Sequence, residues 1–200
     1  MTKGEETKEK IIRQAAGLFW AKGYTATGVQ DVLTAAGVTK GSFYFYFKSK
    51  KDVGFAAADF YETQVVGMME GFAAREGTWE SFIRSVVSVM IEEAEAGHFY
   101  GCPFSVLGME IAFTEPDLAK AFLQGLEKIR ALFQKVLLRS GIAEGQAESA
   151  SRFLMTAYEG YLLQYRLSKD IQWLRSMRDD LAGICLLYTS PSPRDSTSSR

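Results

Sequence analysis

The stretch that decides the fold is 25-TATGVQDVLTAAGVTKGSFYFYFKSKKDV-53. Its apolar spacing predicts two short helices, over about 28–35 and 40–46, on either side of Gly37. Thr27 and Gln30 match the T-x-x-Q form of a capping box, which would open the first helix. Val29, Val32 and Leu33 then fall on one face and point inward. Gly37 permits a tight left-handed turn that a side chain would penalise. Val38 fills the angle between the helices, and Thr39 is placed to cap the second, which runs from Lys40 towards Phe47. Two short helices around a glycine turn make a helix-turn-helix, a unit whose second helix fits the major groove of DNA.

The chemistry of that second helix suits such a partner. Lys40 supplies charge and donors, Thr39 and Ser42 supply small hydroxyls, and Gly41 allows close backbone approach. Tyr44 and Tyr46 carry long planar groups that end in a hydroxyl, while Phe43 and Phe47 are expected in the core. Ser49 and Asp52 form the S-x-x-D start of a further helix. Lys48, Lys50 and Lys51 cluster there, where a helix start also attracts phosphate; ordinary solvated lysines are the alternative for Lys48 and Lys51. Net charge over the chain is only −1, but residues 1–52 carry nine Lys/Arg against five Asp/Glu, so the basic charge gathers around this motif.

Outward from the motif, helical periodicity continues nearly everywhere and no alternating strand is visible. Helices are expected at about 7–22, 51–74, 79–97, 103–113, 116–139, 144–168 and 170–186, giving an all-α chain of about nine. Gly23 stops the first, Thr78 and Pro116 mark two starts, and Gly141 marks an end. The expected organisation is a three-helix DNA-binding domain over 1–49, a larger helical domain over 50–185 and a tail over 186–200. That tail, rich in Ser, Pro and Thr, resembles translated vector sequence and is set aside from the fold. No apolar run approaches the roughly 20 residues of a membrane span, and two cysteines are too few for a disulfide framework. A cytoplasmic location is therefore expected. With one His, no metal-ligand cluster and no Gly-rich phosphate loop, neither a metal nor a cofactor nor an enzyme activity is expected.

The spacing T-x-V-x-D-V-x-x-A-x-G-V-T-x-G-S-F-Y-x-Y-F-x-S-K, preceded by L-F-x-x-K-G-Y, resembles the DNA-binding signature of TetR-family transcriptional regulators. The likeness covers about fifty N-terminal residues. It implies DNA contacts from Thr27, Thr39, Lys40, Gly41, Ser42, Tyr44, Tyr46 and Lys50. Phe45 departs from the family pattern, since many members carry a second Tyr there. The resemblance also implies a homodimer on a palindromic double-stranded operator, and a repressor released by a small-molecule or electrophile inducer. An architectural DNA-binding protein without ligand sensing is the alternative on the same fold.

The same resemblance implies that the larger domain holds a ligand pocket and a dimer interface. Candidate ligand residues are His98, Cys102, Phe104, Met109, Phe122, Tyr158 and Tyr161, each with plain core packing as the alternative. Segment 98-HFYGCPFSVLGMEIA-112 is similar to the R-G-C-L-x-x-N-x-x-x-E segment of a subgroup in which some members sense electrophiles or oxidants through the Cys. Cys102 would be its counterpart, at a helix start and four residues after His98. Phe153, Ala157, Tyr161 and Gln164 line one side of the eighth helix, and Ile171, Leu174, Met177 and Leu181 form a stripe on the ninth. Either set can meet a second chain or pack within one.

Overall fold

A computed structural model describes residues 2–184; Cys185 and the expected tail lie outside the described residues. Among the described residues the chain is all-helical, as the periodicity predicts. The helices are α1 (Lys3–Lys22), α2 (Val29–Ala36), α3 (Lys40–Tyr46), α4 (Lys50–Tyr61, continued by π-helical Glu62–Val66 and by Gly67–Arg75), α5 (Trp79–Glu95), α6 (Pro103–Ile111), α7 (Pro116–Arg139), α8 (Glu144–Ser168) and α9 (Gln172–Gly183). Counted this way there are nine among the described residues.

Most helix ends have a local cause. Helix α1 starts earlier than the apolar periodicity suggests, because Thr2 and Glu5 cap each other: the Glu5 amide donates to Thr2 Oγ1 at 3.3 Å, and the Thr2 amide to Glu5 Oε2 at 2.6 Å. That first turn is polar, so only its caps announce it. Thr78 opens α5 by accepting from the Ser81 amide, and Pro103 and Pro116 each stand at the first position of a helix.

Packing groups the helices into two compact units. The first comprises the described residues up to Met69 together with Tyr100–Ile129, and the second Glu70–Phe99 together with the described residues from Arg130. In the first unit, α1 packs on α2, α4 and α6. Phe19, Phe43, Phe104, Leu107 and Phe122 are fully buried there, each worth about 1.5–3 kcal/mol relative to exposure. Tyr61 stands among Trp20, Phe104 and Phe122, and its hydroxyl donates to the Ala16 carbonyl at 2.5 Å. Burial raises this phenol's pKa well above its ordinary value.

The second unit is built around Trp79. Its indole N–H donates to the Leu181 carbonyl at 2.7 Å, and its ring meets Phe133 edge-on at 5.0 Å. Phe133 in turn stands edge-on to Tyr158 at 5.6 Å. Helix α9 lies on α5 and α8. Leu174, Met177 and Leu181 of the α9 stripe are therefore buried within the chain, and Ile171 is half-buried. On α8 the exposed apolar residues are Phe153, Leu163 and Leu167, while the Tyr161 hydroxyl donates to the Asp180 carboxylate.

Candidate nucleic-acid interface

Helix α2 does not begin as its sequence suggests. Thr27 is fully buried, and its hydroxyl donates back to the Gly23 carbonyl at 2.8 Å. Gly28 is the cap instead, its amide donating to Asp31 Oδ2 at 2.8 Å. The T-x-x-Q reading is thus one residue out of register, because the Thr27 hydroxyl finds the Gly23 carbonyl four positions back and turns inward. A side chain with no exposed surface touches no DNA, so Thr27 serves to close the α1–α2 loop and leaves the set of contact candidates.

The turn and α3 follow the sequence reading. Gly37 adopts φ 61°, ψ 37°, a left-handed conformation, and its amide reaches back to the Thr34 carbonyl at 3.2 Å. Thr39 Oγ1 accepts from the Ser42 amide at 3.2 Å and caps α3. Phe43 and Phe47 are buried, so the opposite side of this seven-residue helix faces out. Thr39, Lys40, Gly41, Tyr44, Phe45 and Lys48 are exposed; Ser42 and Tyr46 are half-buried. Phe45, outside a candidate set built on hydroxyls and charge, is 81% exposed. The signal was present, since position 45 lies opposite the buried pair 43 and 47 on a helical wheel. Its ring stands perpendicular to Tyr46 at 4.9 Å, and the Lys40 ammonium lies 6.0 Å from the Tyr44 ring.

The lysines at the start of α4 are committed elsewhere. Lys50 Nζ donates to the carbonyls of Tyr24 at 3.1 Å and Thr27 at 3.3 Å, and lies 4.3 Å from the centre of the Tyr24 ring. Lys51 pairs with Glu115 at 2.9 Å and Asp117 at 2.7 Å, which raises its pKa and lowers that of Asp117. Ser49 and Asp52 cap α4 as expected. The Lys50 ammonium is thus engaged by two carbonyls and that of Lys51 by two carboxylates, whereas Lys40 and Lys48 are exposed. Burial, then the charge of Glu115, pushes the Tyr24 phenol up to about 12.

The ligand candidates divide between the units. In the first, Phe104 and Met109 line an open apolar groove of about 460 Å³ between α6 and α7, with Gly108, Ala119 and Leu123. Phe122 is fully buried next to Gly108, and Cys102, 3% exposed, is the N-cap of α6. In the second, Tyr158 is core, and His98 is 72% exposed with its Nδ1 3.8 Å from Glu93. Among the described residues no group of three or more His, Cys, Asp or Glu could hold a metal ion, and no helix is long and apolar enough to cross a membrane.

A glycine-turned helix pair with an exposed, partly basic second helix defines the helix-turn-helix class of DNA-binding regulators. Comparison with known proteins gives the family. The model for "Bacterial regulatory proteins, tetR family" matches residues 11–57, and that for "Transcriptional regulator LmrA/YxaF-like, C-terminal domain" matches residues 80–180. The chain belongs to the TetR family of bacterial transcriptional regulators. It is 26% identical over 176 residues to an uncharacterised HTH-type transcriptional regulator from the lacX 3' region of Lactococcus lactis subsp. lactis, covering 86% of this chain and 90% of that protein. It is 27% identical over 134 residues to the HTH-type transcriptional repressor NemR of Escherichia coli (strain K12), covering 66% and 67%. The crystal structure of a TetR-family regulator from Cytophaga hutchinsonii shares the fold, with a TM-score of 0.82 over 96% of this chain and 99% of that one at 22% identity.

Proposed function

We propose that this protein is a repressor that binds a near-palindromic operator as a homodimer and leaves it when a small molecule engages the helices behind the reading head. The observation that carries the reading is the outward face of α3 and the residues just after it, where Lys40, Gly41, Tyr44, Phe45 and Lys48 stand exposed against a buried backing of Phe43 and Phe47. Seven residues span about 10 Å, enough for only a few base pairs, so tight binding calls for two copies on two half-sites about 34–36 Å apart. Tyr44 and Phe45 are the base readers in this proposal, the latter by apolar contact with a thymine methyl. Likeness to a protein named a repressor supports repression over activation. The α6–α7 groove has a volume in the range of small-molecule sites, and its lining suits an apolar inducer. Burial of Cys102 favours such a compound over direct oxidation of the thiol.

The experiment is selection of duplexes from a random pool by the wild-type protein, followed by affinity measurements on Tyr44→Ala and Phe45→Ala. Each variant should lose about 1–3 kcal/mol on the selected duplex, shift the preferred bases and lose far less on a random duplex. Equal losses on both duplexes would mean that α3 does not read sequence.

A further inference from the structure

Segment 98–112 drew notice for its cysteine, but both ends of its helix are tied to the DNA-binding head. Gly101, at φ +91°, presents a carbonyl that accepts from the Trp20 indole N–H at 3.0 Å. In the last turn of α6, Glu110 accepts from two successive backbone amides: Tyr24 donates to Oε2 at 2.8 Å and Thr25 to Oε1 at 2.7 Å. These amides open the α1–α2 loop immediately after Gly23, which holds φ +97°; a Cβ there would stand 3.0 Å from Glu110 Oε2. Glycine is therefore required on two counts, backbone conformation and room for the carboxylate. The loop's carbonyls are held from another side by Lys50, whose ammonium also lies over the Tyr24 ring. Tyr24 is thus gripped by its amide, its carbonyl and its ring.

A surface glutamate ordinarily spreads over many rotamers in water. Here both oxygens converge on adjacent amides, a charge-assisted pair that fixes the loop's path. The loop leads directly into α2, and α2 is joined to α3 by a turn of three residues, Gly37–Thr39. We infer that Glu110 is a positioning residue for DNA recognition: its carboxylate sets the aim of α3, and displacement of α6 releases that aim. The inference rests on the DNA-reading role of α3 and assigns to the segment's glutamate, rather than to its cysteine, the link to the reading head.

The test uses the full-length protein and the variants Glu110→Gln and Glu110→Ala. Gln keeps one acceptor and turns an NH2 towards the second amide, whereas Ala removes both acceptors. Amide hydrogen exchange at Tyr24 and Thr25 is followed by NMR without DNA. Affinity is measured at one salt concentration for the near-palindromic duplex selected by wild type and for a random duplex, alongside thermal unfolding. In Glu110→Ala both amides should exchange about tenfold faster and affinity for the selected duplex should fall about tenfold. Random-duplex affinity and melting temperature should stay close to wild type, with Gln intermediate. Wild-type exchange with a wild-type ratio of the two affinities in Glu110→Ala would overturn the proposal. So would equal losses on both duplexes accompanied by a lower melting temperature in both variants, which would make the contact a plain stabiliser. A wild-type protein that selects no sequence would fail at the selection step, separately from the exchange measurement, and would remove the DNA-reading role on which the proposal stands.

Discussion

Lys50 sits in a run of basic residues, two positions after Lys48. In the fold, its ammonium is bound to carbonyls 26 and 23 residues away, whereas Lys48 stays exposed. The two should respond differently to salt. Lys40→Ala and Lys48→Ala should each lower the slope of log affinity against log salt by about one, the signature of a lost phosphate contact. Lys50→Ala should leave the slope nearly unchanged and lower the melting temperature by loosening the Tyr24–Thr27 loop. A Lys50→Ala slope that falls as far as the others would return Lys50 to the phosphate-binding set. What sequence disclosed at this scale was local: the caps by Thr39 and Ser49 and the left-handed Gly37 are written within three or four residues. Partners of Lys50 and Glu110 lie too far along the chain for any short pattern to announce them, and the Thr27 reading failed because the Gly23 carbonyl draws its hydroxyl inward.

Helix α4 was legible as one long element, but the π-helical stretch Glu62–Val66 was not. A π turn adds one residue to a turn, and the apolar spacing around it remains compatible with an uninterrupted α-helix. Two glycines on α4 differ in their surroundings. At Gly54 a Cβ would lie 2.7 Å from Leu118 Cδ2 and 3.2 Å from the Tyr24 ring, so glycine there permits close approach of helices. At Gly67, directly after the π stretch, a Cβ would meet nothing within 4 Å. Gly54→Ala should therefore destabilise, since overpacking costs about 1–3 kcal/mol and outweighs the roughly 1 kcal/mol of helix propensity gained. Gly67→Ala should keep that propensity gain and stabilise by up to about 1 kcal/mol. Denaturant midpoints check both, and shifts of the same sign would contradict the packing assigned to Gly54.

Across the whole molecule, the class, the helix count among the described residues and the helix-turn-helix were legible in the sequence, because amphipathic periodicity and turn chemistry are local properties. The sequence could not sort apolar stripes into those that pack inside one chain and those left for a second chain. On α9, Leu174, Met177 and Leu181 are internal; on α8, Phe153, Leu163 and Leu167 are exposed, Leu167 by 73%. If a second copy covers α8, Leu163→Glu should give a monomer by static light scattering and weaken binding to a full palindrome far more than to a single half-site. A variant that stays dimeric would move the interface elsewhere. The grip on the α1–α2 loop bears on how such a regulator diversifies. Glu110 and Lys50 hold peptide N–H and C=O groups, which every residue except proline supplies in full. The side chains of α3 are therefore free to drift towards new operators under mutation, and a duplicated gene can change what it reads while inheriting intact the hold on its reading head.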